Sequence, residues 1–323
     1  MWFQPLTHFS QGNIIFDEKG VSSLCPLASR PSRAKVAEYF ILEAFLLKLF
    51  QIPARQDNYI YCALGPQNRA LVVDPADAAP VIEFLSQRPE ITLEAIINTH
   101  HHFDHVGGNE ALKAQYDLNI YGPSHDSERI PGLTHPVSIG DEILVSGIQM
   151  KVHDVKAHTR GHICFQTFSA FEEVYRHGHH GHETLVEKLS GYPALFVGDS
   201  LFMGGCGRLF EGTPEQLFKV MSFYRSLATE HLVVCAHEYT QSNLAFAAHV
   251  MPGNELIAKR LKNLDQEKGV AQSSVPDLLT KELKTNPFLL ALKSSEKEYL
   301  GHKYQVSDVV SVLGALRQAK DQF

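Results

Sequence analysis

The hydrophobic and polar positions between residues 47 and 235 form mostly the short alternating or fully apolar runs that are typical of β-strands. Turn residues, such as the Gly-Pro-Gln-Asn segment at 65–68, separate these runs. Apolar residues three and four positions apart predict a few helices between the strands. The predicted strands are 47–53, 58–64, 70–73, 95–98, 119–121, 142–146, 148–153, 163–168, 194–197 and 232–235, and the predicted helices are 78–86, 109–116 and 215–227.

Beyond His237 the pattern changes to helical spacing, and we predict no further strands. Alternating strands and helices in the first part predict an αββα sandwich, in which helices cover two packed sheets. The chain is therefore predicted to be an α+β protein with a β-rich domain at 47–240 and a helical domain at 241–323. The helices expected in the second domain are 241–250, 254–268, 275–284 and 306–320.

Two stretches do not fit this organisation. Residues 1–46 hold scattered prolines and no clean periodicity, so we interpret them as an N-terminal extension or as upstream sequence translated from a misplaced start. Residues 169–192 interrupt the strand pattern and carry the histidine-rich run at 177–182. Glycine-spaced histidines outside a rigid element rarely hold a specified metal geometry, so we interpret this stretch as a solvated insertion between two strands.

Length, charge and cysteine content narrow the possible functions. The 323 residues are enough for one large or two smaller domains. The formal net charge of −7 argues against a general nucleic-acid binder, because phosphate contacts need clustered Lys and Arg. The five dispersed cysteines indicate reduced thiols and predict a cytoplasmic protein. No stretch approaches the roughly 20 apolar residues that a membrane-spanning helix needs.

The segment 99–108, Thr-His-His-His-Phe-Asp-His-Val-Gly-Gly, carries the richest chemistry of the chain. Four histidines and one aspartate fall within six residues, directly after the apolar run 95–98. Neutral imidazole and carboxylate are ligands that divalent zinc, iron or manganese prefer. His100 and His102 can point the same way from an extended stretch, while Asp104 and the next histidine can face a second ion.

Three further residues at predicted strand ends can complete such a site. His158 lies in a turn between two strands, Asp199 ends a buried strand, and His237 ends another. An unpaired carboxylate at the end of a buried strand is costly without a counter-charge. Each residue alone is more typical of a satisfied core position, but together they favour two metal coordination spheres. His162, close by in the sequence, is interpreted as structural.

The 99–108 segment resembles the T-H-H-H-x-D-H-x-G-G signature of the metallo-β-lactamase superfamily. The resemblance implies two divalent metal ions, with zinc favoured over iron or manganese. It also implies that His101 points away from the ions and supports the loop. The implied ligands are His100, His102 and His158 for one ion, Asp104, His105 and His237 for the second, and Asp199 as the bridge between them.

From residue 48 onward the chain resembles one family within that superfamily, glyoxalase II (hydroxyacylglutathione hydrolase). Several separated motifs in the right order carry this second resemblance, and they are far more specific than the histidine segment alone. They include the terminal R-x-x-K-D-x-F pattern. The matching segments are 52–61, 198–202, 205–208, 237–240, 286–288 and 316–323.

The resemblance implies hydrolysis of S-D-lactoylglutathione to D-lactate and glutathione, the second step of methylglyoxal detoxification. A hydroxide shared by the two ions would attack the thioester carbonyl, with Asp104 and Asp199 as the catalytic carboxylates. The glycine carboxylate of glutathione needs cations and hydrogen-bond donors. The residues implied to supply them are Arg208, Tyr239, Arg317 and Lys320.

Other functions on the same fold are the alternatives. A glutathione persulfide dioxygenase would use a single iron and typically lacks the helical tail that carries Arg317 and Lys320. A lactamase or lactonase would need a differently lined groove, and a nuclease would need a basic face. A metal-storage protein would hardly need a bridging carboxylate. We therefore predict a small glutathione thioester as the partner, without nucleic acid or membrane, and a monomeric protein.

Overall fold

The structure is a computed structural model that describes residues 46–178, 183–268 and 272–323. All but the last residue of the predicted N-terminal extension, and residues 179–182 of the histidine-rich run, lie outside the described residues. In the part of the chain that is described, no helix is both long enough and apolar enough to cross a membrane.

Fourteen strands form two sheets within the described residues. The strands are β1 (Lys48–Ala54), β2 (Asn58–Leu64), β3 (Arg69–Val73), β4 (Thr92–Ile97), β5 (Asn119–Pro123), β6 (His135–Val137), β7 (Glu142–Val145), β8 (Ile148–Asp154), β9 (Ile163–Phe171), β10 (Glu173–His177), β11 (Glu183–Leu185), β12 (Tyr192–Gly198), β13 (Leu232–Cys235) and β14 (Asp277–Leu278). The first sheet has the order β11-β10-β1-β2-β3-β4-β5-β6, and the second has the order β14-β13-β12-β9-β8-β7.

Eleven α-helices are described alongside the strands. They are α1 (Ala78–Ser86), α2 (Phe103–Val106), α3 (Asn109–Tyr116), α4 (Pro214–Ser226), α5 (Thr240–Val250), α6 (Glu255–Lys262), α7 (Leu264–Lys268), α8 (Leu279–Thr285), α9 (Pro287–Leu290), α10 (Ser294–Tyr304) and α11 (Val309–Gln322). Side-chain caps fix several helix starts. The Thr213 hydroxyl accepts from the Gln216 backbone in a capping box at α4, and Asp308 caps α11.

Alternation along the strands explains the layers. In β1, Leu49 faces the second sheet, while Phe50 faces the opposite side, where it packs with Phe84 of α1. In β12, Phe196 belongs to the core between the sheets, whereas Leu195 packs with α4 and the C-terminal helices. Two sheets with helices on both outer faces are the predicted sandwich, so the predicted α+β class is confirmed.

The C-terminal region differs from the prediction in its details. The expectation of no strand beyond His237 is wrong, because β14 pairs with β13 through Asp277 and Val233. The helix predicted at 275–284 therefore begins only after β14, since the sheet uses the backbone that would have formed its first turn. The helix predicted at 254–268 is divided at Asn263, and the sequence pattern did not reveal α10.

The described residues of the stretch 169–192, which exclude 179–182, form sheet strands and not a solvated insertion. β10 runs parallel to β1 and extends the first sheet, with β11 as its outer neighbour. Val174 is fully buried between the sheets, and Arg176 is only 2% exposed. The Arg176 guanidinium donates to the carbonyls of Ser273 and Ser274 at 3.2 and 3.0 Å. These carbonyls pair the terminal nitrogens of an arginine that is buried inside the stretch predicted to be solvated.

Candidate metal centre

The site lies where strands from both sheets end. β4 leads into the 99–108 segment, β12 ends just before Asp199, and β13 ends two residues before His237. Asp74, directly after β3, fixes the start of the histidine segment. Its two carboxylate oxygens accept from the Thr99 backbone N–H at 2.8 Å and from the Thr99 hydroxyl at 2.7 Å. The strand ends and these hydrogen bonds therefore fix the conformation of the 99–108 segment at its start.

The first predicted ligand group comes together as three converging ring nitrogens. Nδ1 of His102 lies 3.1 Å from Nε2 of His100 and 3.0 Å from Nε2 of His158. A tetrahedral zinc with Zn–N bonds of about 2.0–2.1 Å would place its ligand nitrogens roughly 3.3 Å apart. The three nitrogens are thus spaced as one small cation requires.

The second predicted group combines one carboxylate and two imidazoles. Oδ2 of Asp104 lies 3.4 Å from Nε2 of His237 and 3.8 Å from Nε2 of His105. Both histidines are buried, while Asp104 is partly exposed. The ligand atoms again lie close enough to one another to share a single ion.

Asp199 lies between the two groups. Its Oδ1 is 3.3 Å from Nε2 of His105 and 3.4 Å from Nε2 of His237. Its Oδ2 is 3.5 Å from Nε2 of His158. Each carboxylate oxygen thus faces a different ligand group, which is the arrangement that a bridging ligand needs.

Hydrogen bonds on the far side of the rings orient three of these histidines. Nδ1 of His105 donates to Oδ2 of Asp74 at 3.0 Å, and Nδ1 of His237 donates to Oδ1 of Asp57 at 3.1 Å. Nδ1 of His158 donates to the backbone carbonyl of Arg208 at 2.8 Å. With Nδ1 protonated, Nε2 of each ring keeps its lone pair toward the centre of the site.

These orienting partners were not predicted from the sequence. Asp74 ends a buried strand, and that same signal identified Asp199, so it could have been found. Asp57 and the Arg208 carbonyl carry no comparable signal, because their role depends on contacts between segments far apart in the chain.

Burial and neighbouring charges set the protonation of the site. Burial and the adjacent imidazoles lower the pKa of His100 well below its usual value and lower the pKa of His102 to about 4. Burial alone would raise the pKa of Asp199, but protonated His105 and His237 hold it below its usual range, and the Asp199 charge in turn raises the pKa of both histidines. Since neutral imidazoles and ionised carboxylates bind divalent metals, metal binding would displace these protons from His105 and His237.

Eight buried side-chain atoms lack a hydrogen-bond partner within the described residues, and two of them test whether a metal fits. These two are Nε2 of His105 and Oδ1 of Asp199, and both point into the space between the ligand groups. Buried polar atoms are normally paired, so these two indicate a missing partner of positive charge. The residues therefore fit divalent ions at this centre.

Two histidines near the centre do not join the ligand groups. Nδ1 of His101 lies 3.1 Å from Asp126, and its Nε2 lies 3.0 Å from Arg129, so this ring binds a neighbouring loop. The ring of His162 is fully buried against His100, with centroids 4.5 Å apart. Neither ring nitrogen of His162 has a hydrogen-bond partner among the described residues, so its structural role stays a prediction.

A cavity of about 530 Å³ opens beside the predicted metal ligands His158 and Asp199. The aromatic side chains of Phe202 and Phe210 form part of its wall. All four residues predicted to bind the substrate also line it, and they are Arg208, Tyr239, Arg317 and Lys320.

The four lining residues differ in how many of their polar groups already bind other protein groups. Tyr239 stacks on the His237 ring, with centroids 4.8 Å apart. Arg317 is buried and donates to the Cys206 carbonyl at 2.7 Å and to Asp321 at 3.1 Å, so protein groups already occupy much of its guanidinium. Arg208 is 62% exposed and pairs with Asp321 at 3.4 Å, so its guanidinium keeps donors on the solvent side that can reach a ligand.

Lys320 completes the cationic end of the cavity. Its Nζ donates to the Ser242 carbonyl at 3.1 Å. Burial and the charges of Arg317 and Arg208 lower the pKa of Lys320. The cavity is thus lined by two predicted metal ligands and by three basic side chains against one further acidic side chain, Asp321, which suits an anionic ligand.

Family models match almost the whole described chain. One, described as the metallo-beta-lactamase superfamily, matches residues 56–233. A second, described as the hydroxyacylglutathione hydrolase C-terminus, matches residues 238–323.

Curated relatives named hydroxyacylglutathione hydrolase match the chain over nearly their full lengths. The Aliivibrio fischeri protein is 38% identical over 279 residues, which cover 86% of this chain and 100% of the relative. The Synechococcus protein is 41% identical over 274 residues, covering 84% and 98%.

Solved structures with lower identity share the fold. A metallo-beta-lactamase from Staphylococcus aureus has a TM-score of 0.50 at 19% identity and covers 82% of this chain and 67% of its own. ETHE1 from Myxococcus xanthus has a TM-score of 0.52 at 18% identity, covering 84% and 99%. At these identities the likeness shows the fold alone.

Proposed function

Because the chain belongs to the hydroxyacylglutathione hydrolase family of the metallo-β-lactamase superfamily, we propose that its cavity binds S-D-lactoylglutathione and that its metal centre hydrolyses the thioester. The products are D-lactate and glutathione, the second step of methylglyoxal detoxification. One observation carries the proposal. The Asp199 carboxylate faces both ligand groups and lines the same cavity as Arg208, Arg317 and Lys320.

We propose zinc for both ions, held by the two ligand groups with Asp199 as the bridge. Bound zinc would supply a hydroxide nucleophile near neutral pH and would stabilise the oxyanion formed on attack. The negative charges of Asp104 and Asp199 would offset part of the positive charge of two bound dications. Asp57, Asp74 and the Arg208 carbonyl keep the histidine Nε2 atoms aimed at the centre.

The basic end of the cavity supports glutathione as the carrier of the acyl group. Arg208 and Lys320 can pair with the glycine carboxylate, and the Tyr239 hydroxyl can donate to it. Arg317 supports this end by fixing the Cys206 carbonyl and Asp321. We accordingly propose that residues 47–240 form the catalytic domain and that residues 241–323 supply most of the substrate contacts.

Hydrolysis of S-D-lactoylglutathione tests the function directly. The purified protein loaded with zinc is expected to remove the thioester absorbance, and chelation is expected to abolish turnover until zinc is restored. Metal analysis of the same sample should give two ions per chain. A sample that holds two ions but leaves the thioester intact would contradict the proposed substrate. Oxygen uptake with a glutathione persulfide would then distinguish the dioxygenase alternative.

Replacing Lys320 with glutamine tests the basic end of the cavity. Loss of one charged hydrogen bond is expected to raise KM for S-D-lactoylglutathione about tenfold while kcat changes little. The exposed Lys303 of α10, replaced in the same way, serves as the control and should leave KM unchanged. A substrate whose glycine carboxylate is converted to an amide should show no difference between wild type and Lys320→Gln. An equal difference with both substrates would assign Lys320 another role.

The surroundings of the cysteines support a reducing compartment. Cys62, Cys164, Cys206 and Cys235 are all buried free thiols. We propose that the protein acts in the cytoplasm and as a monomer. Sedimentation at micromolar concentration would test the oligomeric state.

A further inference from the structure

The loop at 201–208 connects two parts of the metal centre. It begins two residues after Asp199, whose carboxylate lies between the ligand groups. It ends at Arg208, whose carbonyl accepts the hydrogen bond from Nδ1 of His158. A shift of this loop would therefore move the bridging carboxylate and release the orientation of a predicted ligand of the first ion.

Side chains from the helical region hold this loop through its backbone. The Glu282 carboxylate accepts from the Gly204 N–H at 2.7 Å. The Asn286 amide donates to the carbonyls of Phe202 and Gly205 at 3.2 and 2.8 Å. Two more helical-region side chains donate to the loop, and these contacts are Asn243 to the Met203 carbonyl and Arg317 to the Cys206 carbonyl.

Glu282 is the centre of this arrangement. It is fully buried, and its second oxygen accepts from Arg260, itself 5% exposed, at 2.6 Å. The same Arg260 nitrogen donates to the Thr285 hydroxyl at 2.5 Å, and the Asn286 amide donates to Glu282 at 3.0 Å. A buried ion pair gives little net stability over apolar packing, so its presence favours a positioning role.

We propose that the buried Arg260–Glu282 pair is a positioning element for the metal centre, acting through the 201–208 loop. The helical region then contributes to metal binding as well as to substrate binding. The proposal rests on the proposed function, since it takes His158 and Asp199 as metal ligands. Neither Arg260 nor Glu282 touches the predicted ligands, so their effect is indirect.

Zinc titration of the metal-free protein, in competition with a chromophoric chelator, tests the proposal without any activity measurement. In Glu282→Gln the amide nitrogen must face either Arg260 or the Gly204 N–H, so one bond is lost whichever way it turns. We expect the apparent zinc dissociation constant of at least one site to rise about 10- to 100-fold. Arg260→Lys keeps the charge but loses the planar donor geometry, and a smaller rise is expected.

Asp277→Asn is the matched control, because Asp277 is a buried carboxylate in β14 that pairs with Lys281 at 2.7 Å and makes no contact with the 201–208 loop among the described hydrogen bonds. The titrations use conditions under which circular dichroism shows every variant to be folded. If Glu282→Gln does not fold, the zinc affinity of Arg260→Lys tests the proposal. Unchanged zinc affinity in Glu282→Gln or Arg260→Lys, or an equal loss in Asp277→Asn, would overturn the proposal. A wild-type protein that binds no zinc would contradict the proposed function as well. Two bound ions in the wild type, with the same zinc affinity in the variants, would contradict the positioning role alone.

Discussion

Replacing Asp199 with asparagine is expected to lower kcat/KM for S-D-lactoylglutathione by at least about 10³-fold, the scale for removing a group that acts in the transition state. The amide keeps the size of the side chain but loses the charge that faces both ligand groups. Its NH2 group would also point at Nε2 of His158 or at Nε2 of His105, 3.5 and 3.3 Å from the present oxygens. Steady-state kinetics on zinc-loaded protein would measure the effect.

Metal analysis of the same variant separates catalysis from folding. We expect fewer than two tightly bound ions in Asp199→Asn, with an unchanged circular dichroism spectrum. Asp154→Asn is the matched control, because Asp154 is exposed at the end of β8 and lies outside both ligand groups. Near wild-type activity with two ions bound in Asp199→Asn would exclude a bridging role for Asp199.

The local part of the metal site was predictable from the sequence. His100, His102, Asp104 and His105 lie within six residues, so an extended segment followed by a turn limits where their side chains can point. His158, Asp199 and His237 needed the family resemblance, because strand ends alone do not say which of them meet. The structure brings all seven side chains together around one centre.

The parts that were not predictable depend on contacts between distant segments. The orientation of His158 depends on the Arg208 carbonyl, 50 residues away. Two residues of β14 pair with β13 inside a stretch whose local pattern is helical, so tertiary pairing overrides propensity there. The stretch 169–192 was predicted to be solvated, but its Arg176 is buried and donates to backbone carbonyls within residues 273–276. Sequence periodicity reports local structure and carries no information on such partners.

Replacing Gly207 with alanine is expected to lower kcat/KM about 100-fold, because small displacements of reacting groups have effects of this size. A Cβ at Gly207 would overlap the backbone carbonyl oxygen of Asp199 and lie 2.9 Å from Nδ1 of His158. The loop must therefore move away, which disturbs the bridging carboxylate and the His158 hydrogen bond together. Kinetics and zinc titration of the variant should show both activity and metal affinity reduced.

Gly253→Ala is the matched control, since a Cβ at Gly253 would meet no atom within 4 Å. It should keep wild-type kinetics and zinc affinity, so a general effect of glycine replacement can be separated from the close approach at Gly207. Glycine 207 has no left-handed backbone angle, so the expected loss comes from the space between Asp199 and His158 rather than from strain. A Gly207→Ala protein with normal kcat/KM would mean that the loop can shift without moving the bridging carboxylate. That result would weaken the positioning role proposed for Arg260 and Glu282, because both act on the metal centre through the same loop.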